Sequence, residues 1–294
     1  MVCGEEQVKG GMIMKAYDFI FSLGFSCACT QSLRDCGLQR VSLPFDWVGT
    51  KSLLGSAQLV ANDFRNWFDR DAFVLWDVRI TGGFVSRVYK NVKTGVGFSH
   101  EFSNAEPFET HYESVKEKYD RRIARLYKCA GAAKRILAVY LETSRGGVVS
   151  EEEILEARQI LKGKFPHAEV DLLYMYEEEG CKAPEARQIA EGVTSVKMDY
   201  RTYLNGEIMH VCNMDMIRDY LRKNVVMVGG ESAEDRKKFV DAQRKALRDS
   251  LGKNRFERWF NRKRKNWFRD LEVYLEGQHL VPGDRPLWFD GDGK

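Results

Sequence analysis

The sequence predicts an α/β protein: a mostly parallel sheet flanked by helices, with an antiparallel hairpin near residues 72–99 and a C-terminal helical appendage. Three observations carry that reading. Apolar runs of strand length, RILAVYL at 135–141 and VDLLYMY at 170–176, lack period-2 alternation, as strands buried on both faces do. Between them lies an amphipathic segment of helical period, Glu151 to Lys164. At 44% hydrophobic and 12% aromatic, the 294 residues supply enough apolar side chains for a sizeable core, which excludes wholesale disorder.

In chain order, Ala16 to Leu23 reads as a strand stopped by Gly24, and Ser26 stands where an N-cap would, ahead of a short helix from Cys27 to Leu33 closed by Gly37. Val41 to Trp47 reads as extended around Pro44 and leads to a helix near Lys51–Asn62. Residues 72–99 alternate, with turns at Gly82-Gly83 and at Lys93-Thr94-Gly95. Phe108 to Lys128 is a strongly charged helix whose inward stripe is Tyr119, Ile123, Leu126 and Tyr127, with Asp120, Arg121 and Arg125 in local ion pairs. The strand–helix–strand unit of 135–176 continues as a helix near Pro184–Glu191, a strand near Val193–Met198, a helix near Met214–Lys223 and the apolar Val225–Val228. From Ser232 the chain reads helical and basic, which divides it into an α/β domain, 1–231, and an extension, 232–294.

The near-neutral net charge of +3 is a sum of two opposite parts. From Arg236 to Arg269 there are 14 basic and 3 acidic side chains, a net +11, so the remainder carries −8. Phe256, Trp259, Phe260, Trp267 and Phe268 interleave this basic run. Three readings stand open: an aromatic face docked on the acidic body, a helix lying on an anionic membrane surface, or a binder of an anionic polymer. Seven cysteines form no paired framework in a chain too large to need disulfide staples, and there is neither a signal-type nor a membrane-spanning apolar run. The expectation is a cytoplasmic protein, with membrane contact limited to a peripheral one.

Ligands of open α/β sheets lie at the carboxyl ends of the strands. Here the first strand delivers Ser22, Gly24, Ser26 and Cys27 to that edge. A cysteine in the first turn of a helix meets the positive end of the macrodipole and unpaired N–H groups, which favour thiolate. Cys29 and Cys36 read as small hydrophobes, and Cys27-x-Cys29 followed by Cys36 lacks metal-ligand spacing, so no metal and no cofactor are expected.

SLGFSC (22–27), SLRDCGLQ (32–39), SLPFDW (42–47), FSHEF (98–102) and KYDRRIARL (118–126), in that order, resemble a bacterial family catalogued as a domain of unknown function and labelled a papain-like cysteine peptidase. The resemblance spans residues 18 to about 200. It implies Cys27 as nucleophile and His100 as its base. A third member, orienting the imidazole, is not fixed by the motifs; Asp46 is the first candidate, with Glu101 and Glu142 as further ones. Asp46 is equally a natural cap or turn residue.

The order of elements in 135–200 is that of a doubly wound sheet, which the papain fold is not. A second reading follows. The loop Glu142-Thr143-Ser144-Arg145-Gly146-Gly147 after a parallel strand, with Glu142, Ser144 and Arg145 as contacts, suits a sugar phosphate or glycan. Relatives of the resembled family lie beside or fused to glycosyltransferases in surface-polysaccharide loci, which implies a glycan-related role. The expected substrate is therefore a peptide, an acyl compound or a glycan.

Overall fold

The computed structural model describes residues 8–9, 12–13, 15–50, 52–81, 84–99, 101–102, 107–142, 148–200, 202–204, 207–209 and 214–228. The basic extension 232–294 and the Gly82-Gly83 turn lie outside the described residues.

In chain order the principal elements are β1 (Phe19–Gly24), α1 (Cys27–Asp35), β2 (Val48–Gly49), α2 (Leu53–Ala61), β3 (Phe73–Thr81), β4 (Phe84–Asn91), β5 (Gly97–Phe98), α3 (Phe108–Ala132), β6 (Arg135–Leu141), α4 (Glu151–Lys164), β7 (Glu169–Glu177), β8 (Glu185–Ala190), β9 (Val193–Met198) and α5 (Met214–Asn224). The main sheet runs β8-β9-β7-β6-β1, with β1, β6, β7 and β9 parallel and β8 antiparallel at one edge. A second, antiparallel sheet runs β2-β5-β4-β3 and contains the expected hairpin.

Strand alternation sorts the core onto two faces. Phe19, Phe21, Leu23, Ile136, Ala138, Tyr140, Leu172 and Tyr174 join α2, α3 and α4 in one cluster. Ile20, Leu137, Val139, Leu141, Leu173 and Met175 join α1 and α5 in the other. Helices thus cover both faces of a mostly parallel sheet, which is why its strands read as unbroken apolar runs. Ser150 caps α4 by accepting from Glu153 N at 3.2 Å, and Asn91 shapes the Lys93–Thr94 turn by accepting both backbone N–H groups, at 3.0 and 3.1 Å.

Two segments differ from expectation. Pro184–Glu191 does not form a helix; Glu185–Ala190 is an edge strand paired antiparallel from Glu185↔Lys197 to Ala190↔Val193. Gly192, at φ +73°, reverses the chain, and a Cβ there would lie 2.6 Å from Asp171 Oδ1. Tertiary pairing overrides the helix-forming composition EARQ. In Val41–Trp47, residues 44–47 turn instead of extending, because Asp46 N donates to Leu43 O at 3.3 Å while Leu43 N donates back to Asp46 Oδ2 at 2.8 Å.

Candidate functional site

β1 ends at Gly24, whose φ is +114°. A Cβ at this position would stand 1.9 Å from Thr50 Oγ1, so only glycine fits. The Gly24–Phe25 peptide is cis. Phe25 is then held from two sides: its N–H donates to Leu141 O at 3.2 Å, and its carbonyl accepts from Thr50 N at 2.8 Å. Ser26, in extended backbone, caps α1 by accepting from Ala28 N at 3.4 Å. Cys27 is thereby the first residue of α1, at the carboxyl end of β1, half-buried, with no acidic residue in the first turn of the helix.

The surroundings of the sulfur pull in opposite directions. Burial pushes the Cys27 thiol up, and the backbone N–H groups of Cys27 and Ala28 only partly draw it back. Burial thus opposes the thiolate that the helix start favours, and it is the larger of the two influences. Cys29 is fully buried, donates to Val139 O at 3.5 Å and is pushed up to about 12 by burial. Ser22 is also fully buried; its Oγ accepts from Gly24 N at 3.1 Å and supports the turn from below.

Asp46 lies completely inside the protein. Its Oδ1 accepts from Gln39 Nε2 at 2.8 Å and Thr30 Oγ1 at 3.3 Å, and its Oδ2 pairs with the Arg34 guanidinium at 2.5 Å and takes the Leu43 N–H. Arg34 also donates to Ser42 Oγ at 3.0 Å and lies over the Trp47 ring. The residues of SLRDCGLQ and SLPFDW are thus joined by one buried network.

A second network joins SHEF to KYDRRIARL. Glu101 is buried among Lys118, Tyr119 and Arg122: it pairs with the Lys118 ammonium, accepts from Tyr119 OH at 2.7 Å and lies 3.4 Å from Arg122 NH1. Burial alone would raise the Glu101 carboxyl, but Arg122 and Lys118 outweigh it and hold it below the usual carboxylate range. Arg125 donates to Ser42 O at 2.8 Å, and Asp120 makes a local ion pair with Lys116 at 2.6 Å. Sequence reasoning missed the buried Arg34 and Arg122. Arg122 was detectable, since 119, 122, 126 and 130 share the inward face of α3 and all four are buried.

Glu142 follows β6 directly and is buried at the carboxyl edge, its N–H donating to Met175 O at 2.7 Å. Its carboxylate lies against Tyr140, and burial followed by that charge drives the Tyr140 phenol far above its ordinary value. Tyr140 stacks on Tyr174 and donates to Thr50 O at 3.3 Å. The main chain of the edge brings the Cys27 turn and Glu142 together, because Phe25 bonds to Leu141, the residue before Glu142. His100, Ser144 and Arg145 lie outside the described residues. Among the described residues no group of three His, Cys, Asp or Glu side chains is placed to hold a metal ion, and no helix is long and apolar enough to cross a membrane.

Residues 18–162 match the family described as "Putative papain-like cysteine peptidase", a domain of unknown function. That match contains all five motifs and stops short of the residue-200 limit expected from them. An uncharacterized protein of Acanthamoeba polyphaga mimivirus is 30% identical over 132 residues, 40% of this chain and 59% of that protein. The chain therefore spans less than two thirds of the length of this relative, which is viral where the motif resemblance pointed to bacteria. No solved structure matches the chain.

Proposed function

We propose that the protein is a thiol hydrolase or acyltransferase in which Cys27 Sγ is the nucleophile. One observation carries the reading: Cys27 opens helix α1 immediately after a parallel strand, at the sheet edge where α/β proteins bind ligands, while Cys29, two residues on, is sealed in the core. The matched family's description supports the same chemistry. Because burial favours the thiol form of Cys27, the reaction needs a base, a role assigned to His100 by the motif resemblance. His100 takes the thiol proton as Sγ attacks a carbonyl carbon. Backbone N–H groups of the first turn of α1 hold the resulting oxyanion. The tetrahedral adduct collapses as the carbon–heteroatom bond breaks, the leaving group receives the proton from His100, and the acyl group stays on sulfur as a thioester. Water gives hydrolysis, and an amine or hydroxyl gives transfer.

A sugar phosphate at the same edge is the weaker fit, because the buried Glu142 carboxylate stands at the head of the 142–147 loop and opposes an anion. The test is acylation by p-nitrophenyl acetate. A burst of nitrophenolate with one acetyl group on Cys27, absent in Cys27→Ala, supports the reading. Acetylation of Cys27 no faster than that of half-buried Cys36 and Cys129 overturns it.

A further inference from the structure

We infer that Asp46 is a positioning residue that clamps the Cys27-bearing helix through Thr30 and Arg34. The proposal rests on Cys27 as the reactive group and deepens that reading. It replaces the assignment of Asp46 as the carboxylate that orients the base.

Two observations carry it. The first is saturation. A carboxylate offers about four acceptor positions, and Asp46 already receives Thr30 Oγ1, Gln39 Nε2, the Arg34 guanidinium and the Leu43 N–H, two on each oxygen. With the side chain fully buried, an imidazole would have to displace one of these donors. The second is placement. Cys27, Thr30 and Arg34 stand at i, i+3 and i+7 of α1, so they share one helix face. Thr30 lies one turn beyond Cys27, and Arg34 a further turn along, so Asp46 ties two successive turns behind Cys27 to the Leu43–Trp47 turn.

The consequence reaches the sulfur through the helix. The Thr30 and Arg34 contacts hold the two turns that follow Cys27, and with them the first-turn geometry in which the N–H groups of Cys27 and Ala28 face a buried Sγ. Asp46→Asn leaves the shape nearly unchanged but puts an NH2 group against a donor whichever way the amide faces. The first turn of α1 then loses its support, and both the burial and the N–H contacts that set the sulfur's titration change.

The experiment is the pH dependence of Cys27 alkylation by iodoacetamide, read by peptide mass spectrometry, in the wild type, Asp46→Asn, His100→Ala and the double variant. A clamp predicts that the Cys27 midpoint is displaced by about half a unit, a roughly threefold change of rate at neutral pH, equal in both His100 backgrounds. Thr30→Val, which keeps the Arg34–Asp46 pair, is the milder variant and shifts the midpoint in the same direction by less. A shift seen only when His100 is present overturns the clamp and restores Asp46 as the orienting acid. A lower melting temperature with an unmoved midpoint also overturns it, leaving Asp46 a plain stabiliser. If Cys27 is no nucleophile, His100→Ala changes nothing and acylation fails, yet the Asp46 shift persists, so the two failures are distinguishable.

Discussion

Glu101 Oε1 and Arg122 NH1 lie 3.4 Å apart, and both side chains are at most 3% exposed. The pair fastens the segment after β5, in which Glu101 follows His100 in the chain, to the middle of helix α3. Breaking a buried pair from one side leaves an uncompensated charge and costs about 3–5 kcal/mol. Arg122→Met is expected at the lower end of that range, since Lys118 still faces Glu101. Urea unfolding measures the loss, and a change below about 1 kcal/mol contradicts the description of this cluster as a buried charge network.

The same cluster sets an acid limb. Glu101 is held below the usual carboxylate range in the folded chain. A depressed pKa contributes stability that is fully present above the unfolded-state value, about 4.3, and is lost as pH falls through the folded-state value. Glu101→Gln is therefore expected to flatten the fall of stability below about pH 4.3 while lowering stability at neutral pH. Parallel acid limbs for the two proteins would contradict it.

Gly24 offers a steric prediction. Gly24→Ala brings a Cβ against Thr50 Oγ1 and forces φ +114° on an alanine. Overpacking and backbone strain together cost about 2–4 kcal/mol. Thr50→Ala in the same chain removes the clash but not the strain, and recovers part of the loss. Full recovery, or no loss in Gly24→Ala, contradicts the geometry of this turn.

The basic segment is tested by deletion. Removing residues 232–294 is expected to abolish retention on heparin and on vesicles containing phosphatidylserine, with binding of the full chain falling steeply as salt rises. Unchanged retention contradicts a role for Arg236–Arg269 in holding an anionic surface or polymer.

Much of the frame was legible from local pattern. Arg135–Leu141 and Glu151–Lys164 match their expected limits, because a strand buried on both faces is an unbroken apolar run and Ser150 with its N-cap bond marks where α4 starts. The place of Cys27 was legible for the same reason, since Gly24 and Ser26 mark the turn and the cap. The upward push of burial on its thiol was not, because burial depends on neighbours distant in the chain. Glu185–Ala190 was misread because an exposed edge strand shows no alternation, and only its pairing with β9 declares it. Nor could spacing show that Asp46 meets Thr30, Gln39 and Arg34 together, since a charged residue in a turn reads as solvated until its partners are seen.

The central claim is that Cys27 is a nucleophile served by His100. The measurement that tests it most directly is the rate of Cys27 alkylation by iodoacetamide against pH, in the wild type and in His100→Ala. A wild-type midpoint below the ordinary thiol value of about 8.5, moving upward in His100→Ala, is the predicted result; it would show the imidazole overcoming the effect of burial. A midpoint at or above 8.5 that is the same in both proteins would contradict it.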